Sequence, residues 1–240
     1  FTDFILNEAS VIKSRKPELD TVVENHLAWP LHMQNSADLL RWRANFNSVM
    51  KTIEYDLPED LEIIVNEEFT LHQPSVESAY VWSRCLTEMR VSSIEKSTVR
   101  VCAGGKRNNY KGTMPGVLEE IIVSLEQGRP MFLIGGFGGI VHDACELILT
   151  KKIPESLTEE WQVSNNSDYQ ELQDFASDFG KEANYGDIAL TLSSTNISSL
   201  ASRVGLSSEE YTRIMNSPFI DEVVYLCLKG LKKIGVVPKL

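Results

Sequence analysis

Glycine is concentrated in one short stretch of this chain, and that stretch limits the folds the chain can adopt. The chain has 240 residues and 14 glycines, and the first glycine is Gly104. Nine of the fourteen lie between Gly104 and Gly139. Glycine adopts positive φ and lets a backbone pass close to other atoms, so such clustering indicates a shaped site. Ordinary turns explain Gly128, but they explain the paired glycines less well. These pairs are Gly104-Gly105, Gly135-Gly136 and Gly138-Gly139.

Short apolar runs alternate with helical patterns around these glycines, and the alternation predicts the fold class. Strands are predicted at 61–65 (LEIIV), 99–103 (VRVCA) and 131–134 (MFLI), and helices at 76–90, 115–127 and 140–148. Continuous apolar runs are typical of parallel strands buried on both faces. We therefore expect an α/β fold with a doubly wound, Rossmann-like and mostly parallel sheet, and additional N- and C-terminal helices.

The segments outside this pattern predict further helices. Residues 35–55 are expected to form one amphipathic helix, and a capping box of Ser207 with Glu210 predicts a helix start. A final helix is predicted at 221–234, where packing on the sheet and an oligomer contact both remain open. The apolar stripe of 35–55 is Leu39, Leu40, Phe46, Val49, Met50 and Ile53. The expected domains are an N-terminal helical segment (1–60), a nucleotide-binding core (61–154) and a C-terminal helical extension packed on that core (155–240).

Two glycine-containing loops follow predicted strands and lead into predicted helices. The loops are 104–116 (GGKRNNYKGTMPG) and 135–139 (GGFGG). Open α/β sheets bind ligands at the carboxyl ends of their strands, where helix N-termini favour an anion. Lys106, Arg107 and Lys111 add positive charge to the first loop. The alternative is a solvated turn whose cations point to water.

The charge balance and composition exclude several classes of partner. Asp and Glu number 34 against 23 Lys and Arg, so the net charge is −11, which makes nucleic acid an unlikely partner. The sequence has no apolar stretch of about 18 residues, so we expect no membrane span. The cysteines, which form no CxxC pair, are expected to be reduced in a cytoplasmic protein. The histidines (His26, His32, His72 and His142) lack metal-ligand spacing. We therefore expect neither a metal nor a cofactor.

Four strings in this region carry a family resemblance. They are LTEMR (86–90), VRVCAGGK (99–106), YKGTMPGVLEE (110–120) and PMFLIGGFGGI (130–140). Together they resemble the SLOG superfamily, which includes LOG-type phosphoribohydrolases, Smf/DprA proteins, and sensor domains of bacterial defence effectors and TRPM channels. Met89-Arg90 resembles the Met-Arg pair of the enzyme branch. PGVLEE (115–120) matches that branch's PGGxGTxxEE motif in part, since it lacks the double glycine and the Gly-Thr step.

The resemblance implies a sensor that binds a nucleotide-derived ligand such as ADP-ribose or a cyclic nucleotide. It implies that the ligand controls a homo-oligomer or a covalently attached effector in antiviral, anti-phage defence. The residues expected to bind that ligand are Gly104, Gly105, Lys106, Arg107, Lys111, Gly112, Thr113, Pro115, Gly116, Gly135, Gly136, Phe137, Gly138 and Gly139.

An alternative implied by the same resemblance is a LOG-like N-glycoside hydrolase that acts on a nucleotide. In that case Arg90 would hold the phosphate, and Glu119 or Glu120 would stabilise positive charge on the ribose. Structural interpretations remain open for these residues as well: Arg90 as a cation near a helix end, and one glutamate as a surface residue. Single-stranded DNA binding of the Smf/DprA type is disfavoured by the acidic charge.

Overall fold

The computed structural model describes residues 2–19, 21–33, 37–66, 69, 71 and 75–236. The chain divides into two compact units, Phe1–Leu71 and His72–Leu240. Within the described part of the chain, no helix has both the length and the apolar character required to cross a membrane. His72 and the side chain of Leu39, both considered above, lie outside the described residues.

The first unit combines helices with one pair of parallel strands. Strand β1 (Val23–Leu27) pairs with β2 (Met50–Glu54) in the register Val23 to Met50 and Leu27 to Glu54. The helices are α1 (Thr2–Arg15), α2 (Trp29–His32) and α3 (Ala37–Phe46).

The prediction of a single helix over 35–55 is wrong. Helix α3 ends at Phe46, and residues 47–49 form a turn into strand β2. Thr52 and Ile53 are β-branched residues, which favour a strand once a partner strand is available. The apolar residues therefore keep helical spacing beyond the end of α3, although the helix stops there. Pairing with β1 makes residues 50–54 a strand.

The predicted strand at 61–65 is also wrong. Residues Glu59–Leu61 form a short 3-10 helix, and turns follow it. Leu61 is fully buried, whereas Ile63 is 80% exposed. Residues 61–65 are mostly apolar, but their side chains do not all face a core as those of a buried strand would.

The second unit contains the glycine-rich region, and its main elements agree with prediction. Strands β3 (Arg100–Ala103) and β4 (Met131–Ile134) are parallel, with Arg100 opposite Met131 and Ala103 opposite Ile134. The helices around them are α4 (Val76–Lys96), α5 (Gly116–Glu126) and α6 (Gly139–Thr150). Strand 131–134 is confirmed at its predicted bounds, and the 99–103 strand and the 115–127 and 140–148 helices are confirmed with shifts of one or two residues at their ends. The helix predicted at 76–90 is also confirmed, but it continues to Lys96.

Residues beyond α6 are helical and contribute to the same core. Tyr211 is buried, and its hydroxyl donates a hydrogen bond to the carbonyl of Met131 over 2.8 Å. The capping box of Ser207 and Glu210 is confirmed. The helices are α7 (Glu159–Asn165), α8 (Tyr169–Ser177), α9 (Tyr185–Ser194), α10 (Ile197–Arg203), α11 (Ser208–Asn216) and α12 (Ile220–Lys233).

The mixed α/β class is confirmed, whereas the doubly wound sheet is not observed. Among the described residues, strand pairing is confined to β1 with β2 and β3 with β4. All four residues of β4 are buried, as a central parallel strand requires, but in β3 only Cys102 is buried. Val101 and Ala103 are exposed, so β3 has the alternating pattern of a strand covered on one face.

Candidate functional site

The carboxyl ends of β3 and β4 bring the two glycine loops together. Because the strands are parallel and Ala103 lies opposite Ile134, both loops leave the same edge of the sheet. The amide of Ile140 donates to the carbonyl of Gly105 over 3.1 Å, and that of Val141 donates to the carbonyl of Gly104 over 3.0 Å. Loops 104–116 and 135–139 therefore form one continuous surface.

The contact between the loops uses donors that could otherwise bind a phosphate. The amides of Ile140 and Val141 belong to the first turn of α6, and both are satisfied by loop carbonyls. Gly139 makes the contact possible: a Cβ there would lie 2.4 Å from the oxygen of Gly105 and 2.5 Å from the carbonyl carbon of Gly104. The N-terminus of α6 is thus largely occupied by the protein itself.

Two of the predicted ligand-binding glycines are required by close packing against α11. A Cβ on Gly136 would lie 1.9 Å from the carbonyl oxygen of Ser217, and one on Gly135 would lie 2.4 Å from that of Met215. Both neighbours are backbone atoms that cannot rotate away. Packing therefore accounts for Gly135 and Gly136 without a ligand.

Gly104 and Gly138 are different, because space is open beside both. Apart from their chain neighbours, no heavy atom of the described residues lies within 4 Å of a Cβ placed on either glycine, and their φ angles are +65° and +77°. Phe137, next to Gly138, is 46% exposed. Gly104, Phe137 and Gly138 are therefore part of the accessible loop surface, which also includes the exposed Lys106, Asn109 and Lys111.

The N-terminus of α5 adjoins the same loops. The first helical hydrogen bond of α5 runs from the amide of Glu119 to the carbonyl of Pro115, so the amides of Gly116 and Val117 precede it. Among the described residues no side chain caps this end. A Cβ on Gly105 would lie 3.0 Å from the Cβ of Val117, which places this helix end against the first loop.

Arg107, in the basic loop 104–116, is held by an ion pair with Asp143 of α6. Its Nε lies 2.5 Å from Asp143 Oδ2 and its Nη2 lies 2.6 Å from Oδ1, and Ser156 Oγ also donates to Oδ2 over 2.5 Å. Burial would raise the pKa of Asp143, but the hydrogen bonds from Arg107 and Ser156 hold it below its ordinary value. The pKa of Arg107 is raised, chiefly by the hydrogen bond to Asp143. This cation fixes the loop to the helix behind it.

The other loop cations and Thr113 also have partners within the protein. Lys111 Nζ lies 3.6 Å from the ring centroid of Trp82, and Lys106 Nζ donates to the carbonyl of Asn109 over 3.2 Å. The amide of Thr113 donates to Ser83 Oγ over 3.0 Å. The loop is therefore ordered by its own polar contacts, and Lys106 is its most weakly held cation.

Three residues of the C-terminal helices support the loop from its other side. Asn166 Oδ1 accepts from the amide of Asn109 over 2.8 Å, and Gln162 Oε1 accepts from the Tyr110 hydroxyl over 2.7 Å. The hydroxyl of Tyr169 donates to the carbonyl of Thr113 over 2.6 Å. Residues beyond 155 thus help to shape the loop.

Arg90 and Glu119 meet between α4 and α5. Arg90 Nη1 forms an ion pair with Glu119 Oε2, and Thr87 Oγ1 donates to Glu119 Oε1. The side chains of Arg90 and Glu119 are 12% and 9% exposed. A Cβ on Gly116 would lie 2.4 Å from Arg90 Nη2, so the guanidinium lies directly against the start of α5. Glu120 is separate from this group and pairs with Arg100.

The sequence interpretation did not identify several residues that build this site. Asp143 was detectable, since it lies on the same face of α6 as the buried Ile140 and Leu147, where a lone carboxylate requires a partner. Ser83 and Thr87 gave no such signal, because serine and threonine are ordinary residues in a helix.

A cavity of about 280 Å³ lies at the end of α5 beside α9 and α10, and shares no residue with the predicted site.

This arrangement defines an α/β domain in which two glycine-rich loops meet at the carboxyl ends of parallel strands. Residues 1–214 match the model of the SLOG cluster2 family. The chain belongs to this family, which confirms the expected SLOG relationship. No curated protein and no solved structure matches the chain.

Proposed function

We propose that this protein binds a nucleotide-derived anion, such as ADP-ribose or a cyclic nucleotide, at the carboxyl ends of β3 and β4. The observation that supports this most is the junction of the two loops, where Gly104 and Gly138 have open space beside them. A ligand there would lie over bare backbone, as close approach to a sugar or phosphate requires. SLOG family membership fits a nucleotide-related ligand.

The donors in this proposal come mainly from α5. The amides of Gly116 and Val117 precede the first helical hydrogen bond, and the positive end of the helix dipole favours an anion. The Arg90 guanidinium lies against Gly116 and adds positive charge. Lys106, held by a single hydrogen bond to Asn109, is the loop cation best placed to turn toward a ligand. For the other residues expected to bind the ligand, that role remains a prediction.

The role we propose is that of a sensor. Binding would bias a homo-oligomer or an attached effector if the ligand has different affinity for two states. A cytoplasmic setting and a role in antiviral defence also belong to this proposal. The defence role comes from the family resemblance, and the four cysteines, which are free of disulfides, fit the cytoplasmic setting.

A matched pair of glycine variants tests the ligand site. Gly104→Ala and Gly180→Ala each place a methyl group in open space at nearly the same φ, +65° and +63°. Both variants should cost about 1–2 kcal/mol of stability for a left-handed alanine. Only Gly104→Ala should weaken binding of ADP-ribose or cyclic nucleotides in titration calorimetry. Equal affinities for both variants, or no binding by the unaltered chain, would contradict the proposal.

An N-glycoside hydrolase is the second candidate, and the contact of Arg90 with Glu119 favours it. In this reaction the glycosidic C–N bond breaks and its electron pair leaves with the base, while a water oxygen bonds to the ribose carbon. A carboxylate accepts a proton from that water, and an adenine leaving group takes up one proton, so the base is released neutral. Glu119 already accepts hydrogen bonds from Arg90 and Thr87, so it is oriented but largely enclosed. Chromatography after incubation with AMP, NAD and ADP-ribose tests this candidate. Release of free base that Glu119→Gln abolishes would support it.

A further inference from the structure

Helix α12 is fixed to the second unit along one face. Val223 and Leu226 are buried on this face. At Gly230 a Cβ would lie 2.6 Å from the carbonyl oxygen of Val204 and 2.9 Å from the ring of Phe132. The helix is therefore held closely against the body of the protein, and its opposite face has a fixed orientation.

The opposite face of α12 presents a continuous apolar stripe. Isolated exposed apolar residues are common on proteins, whereas contiguous ones mark interaction surfaces. Four of the exposed residues follow one another at helical spacing and form one patch, and the fifth, Phe219, directly precedes the first helical residue. We call this patch the α12 stripe: it consists of Phe219, Ile220, Val224, Tyr225 and Leu228.

Opposite charges stand at the two ends of the α12 stripe. Asp221 and Lys232 lie on the same face as Tyr225 and Leu228, because 221, 225, 228 and 232 follow helical spacing. Both charged residues are exposed, and within the described part of the chain neither has an ion-pair partner. The neighbouring charges are already paired within the chain, Glu222 with Arg213 and Lys229 with Glu210.

We propose that the α12 stripe pairs with the same stripe of a second copy of this chain, with the two helices antiparallel. A two-fold axis midway between residues 226 and 227 places Asp221 opposite Lys232 of the partner subunit and Tyr225 opposite Leu228 of the partner subunit. The same pairs form twice, as an isologous interface requires. A parallel arrangement would instead place Asp221 against itself and Lys232 against itself. The inference does not depend on ligand binding.

The charge pattern favours a second copy over other occupants. A membrane surface would require cations along the whole stripe, but its first turn contains Asp221 and Glu222. Antiparallel self-pairing gives both Asp221 and Lys232 an opposite charge as a neighbour. One helix pair buries little area compared with standard interfaces, so the dimer should form in a concentration-dependent way.

Analytical ultracentrifugation of the 240-residue chain over a wide concentration range tests the proposal. We expect a shift from the 27.0 kDa monomer to a species of twice that mass. Leu228→Asp should keep the chain monomeric, whereas Leu190→Asp, at a leucine on α9 that is more exposed than Leu228, should leave dimerisation unchanged. Circular dichroism checks that each variant remains folded.

Charge reversal tests the antiparallel geometry. Asp221→Lys and Lys232→Asp should each weaken the dimer by roughly tenfold, since two symmetric pairs change at once. The double variant should recover the affinity of the unaltered chain. A monomer at every concentration, a dimer insensitive to Leu228→Asp, or a double variant no better than the single ones would overturn the proposal.

Discussion

Arg107 donates two hydrogen bonds to Asp143, and this pair joins the basic loop to helix α6. The cation had been expected to face a phosphate. Instead it compensates a carboxylate that is only 4% exposed. The pair therefore contributes to the shape of the first loop, and its effect on ligand binding would be indirect.

Replacing Arg107 should reduce stability. In Arg107→Ala the buried carboxylate of Asp143 keeps only the hydrogen bond from Ser156. Breaking a buried pair costs about 3–5 kcal/mol, but Arg107 is partly exposed, so we expect a loss of roughly 2 kcal/mol in the free energy of unfolding. Denaturant unfolding measures it. Lys106→Ala, in the same loop, should change the free energy by less than about 0.5 kcal/mol. A similar effect of the two variants would contradict this assignment.

The stability that Asp143 provides should depend on pH. Its pKa is lower in the folded protein than in the unfolded chain, so the folded state is favoured above the unfolded value of about 3.9. This contribution is lost as the pH falls through the folded pKa. The difference in unfolding free energy between the unaltered chain and Asp143→Asn should be constant from about pH 7 to 5 and decrease below about pH 4. A difference that grows in acid would show that the folded pKa is raised instead.

Glycines of the 135–139 loop should separate into structural and ligand-facing positions. Gly136→Ala forces a methyl group against the carbonyl oxygen of Ser217, and overpacking of this kind costs about 1–3 kcal/mol. At Gly138 the methyl group enters open space, but φ of +77° with ψ of −160° is a conformation essentially restricted to glycine, so Gly138→Ala should lose about 1–3 kcal/mol from backbone strain. Thermal unfolding and calorimetry together distinguish them. Both variants should lower the Tm, whereas Gly138→Ala should reduce ligand affinity more than Gly136→Ala.

The hydrogen bond from the Thr113 amide to Ser83 should contribute measurably to loop order. Both residues are buried, so Ser83→Ala leaves the amide without a partner at a cost of roughly 1–3 kcal/mol. Hydrogen exchange of the Thr113 amide should accelerate. Ser93→Ala on the same helix is the control, because Ser93 Oγ bonds only to a carbonyl of its own helix. Unchanged exchange at Thr113 in Ser83→Ala would contradict this role.

The sequence predicted local elements well where the apolar pattern and the turn residues agreed. The MFLI strand at 131–134 follows Pro130, ends at Gly135 and has its predicted bounds. Periodicity failed at 61–65, where an apolar run buries only Leu61, and at 50–54, where pairing with β1 overrides helical spacing. Pairing between distant segments is not encoded in any local pattern.

The meeting of the two loops was predictable from the sequence, whereas the contacts of the individual loop residues were less so. Parallel strands ending at Ala103 and Ile134 must place their following loops side by side, and they do. Composition does not distinguish a glycine that faces a ligand from one that faces another loop, because both positions require a residue without a Cβ. Gly104 and Gly139 illustrate this, since the first has open space and the second contacts the backbone of the first.

Glu119 and Glu120 are adjacent in the chain but should respond differently to substitution. Glu119 is enclosed with Arg90 and Thr87, whereas Glu120 pairs with Arg100 at a more exposed position. Glu119→Gln leaves the Arg90 guanidinium without its counter-charge and should lower the free energy of unfolding by roughly 3 kcal/mol. Glu120→Gln should lower it by only about 0.5–1 kcal/mol.

Glu119→Gln and the conservative variant Glu119→Asp distinguish the two candidate functions. In a sensor, Glu119→Gln should weaken ligand binding only through displacement of Arg90 from the start of α5, so the conservative variant Glu119→Asp should restore much of the affinity. In a hydrolase, both Glu119 variants should lose base release even where binding persists, because the reacting carboxylate is removed or withdrawn. Binding by calorimetry and base release by chromatography on the same samples separate these outcomes. If Glu120→Gln proved the more damaging change in both assays, the assignment of Glu119 to the site would be wrong.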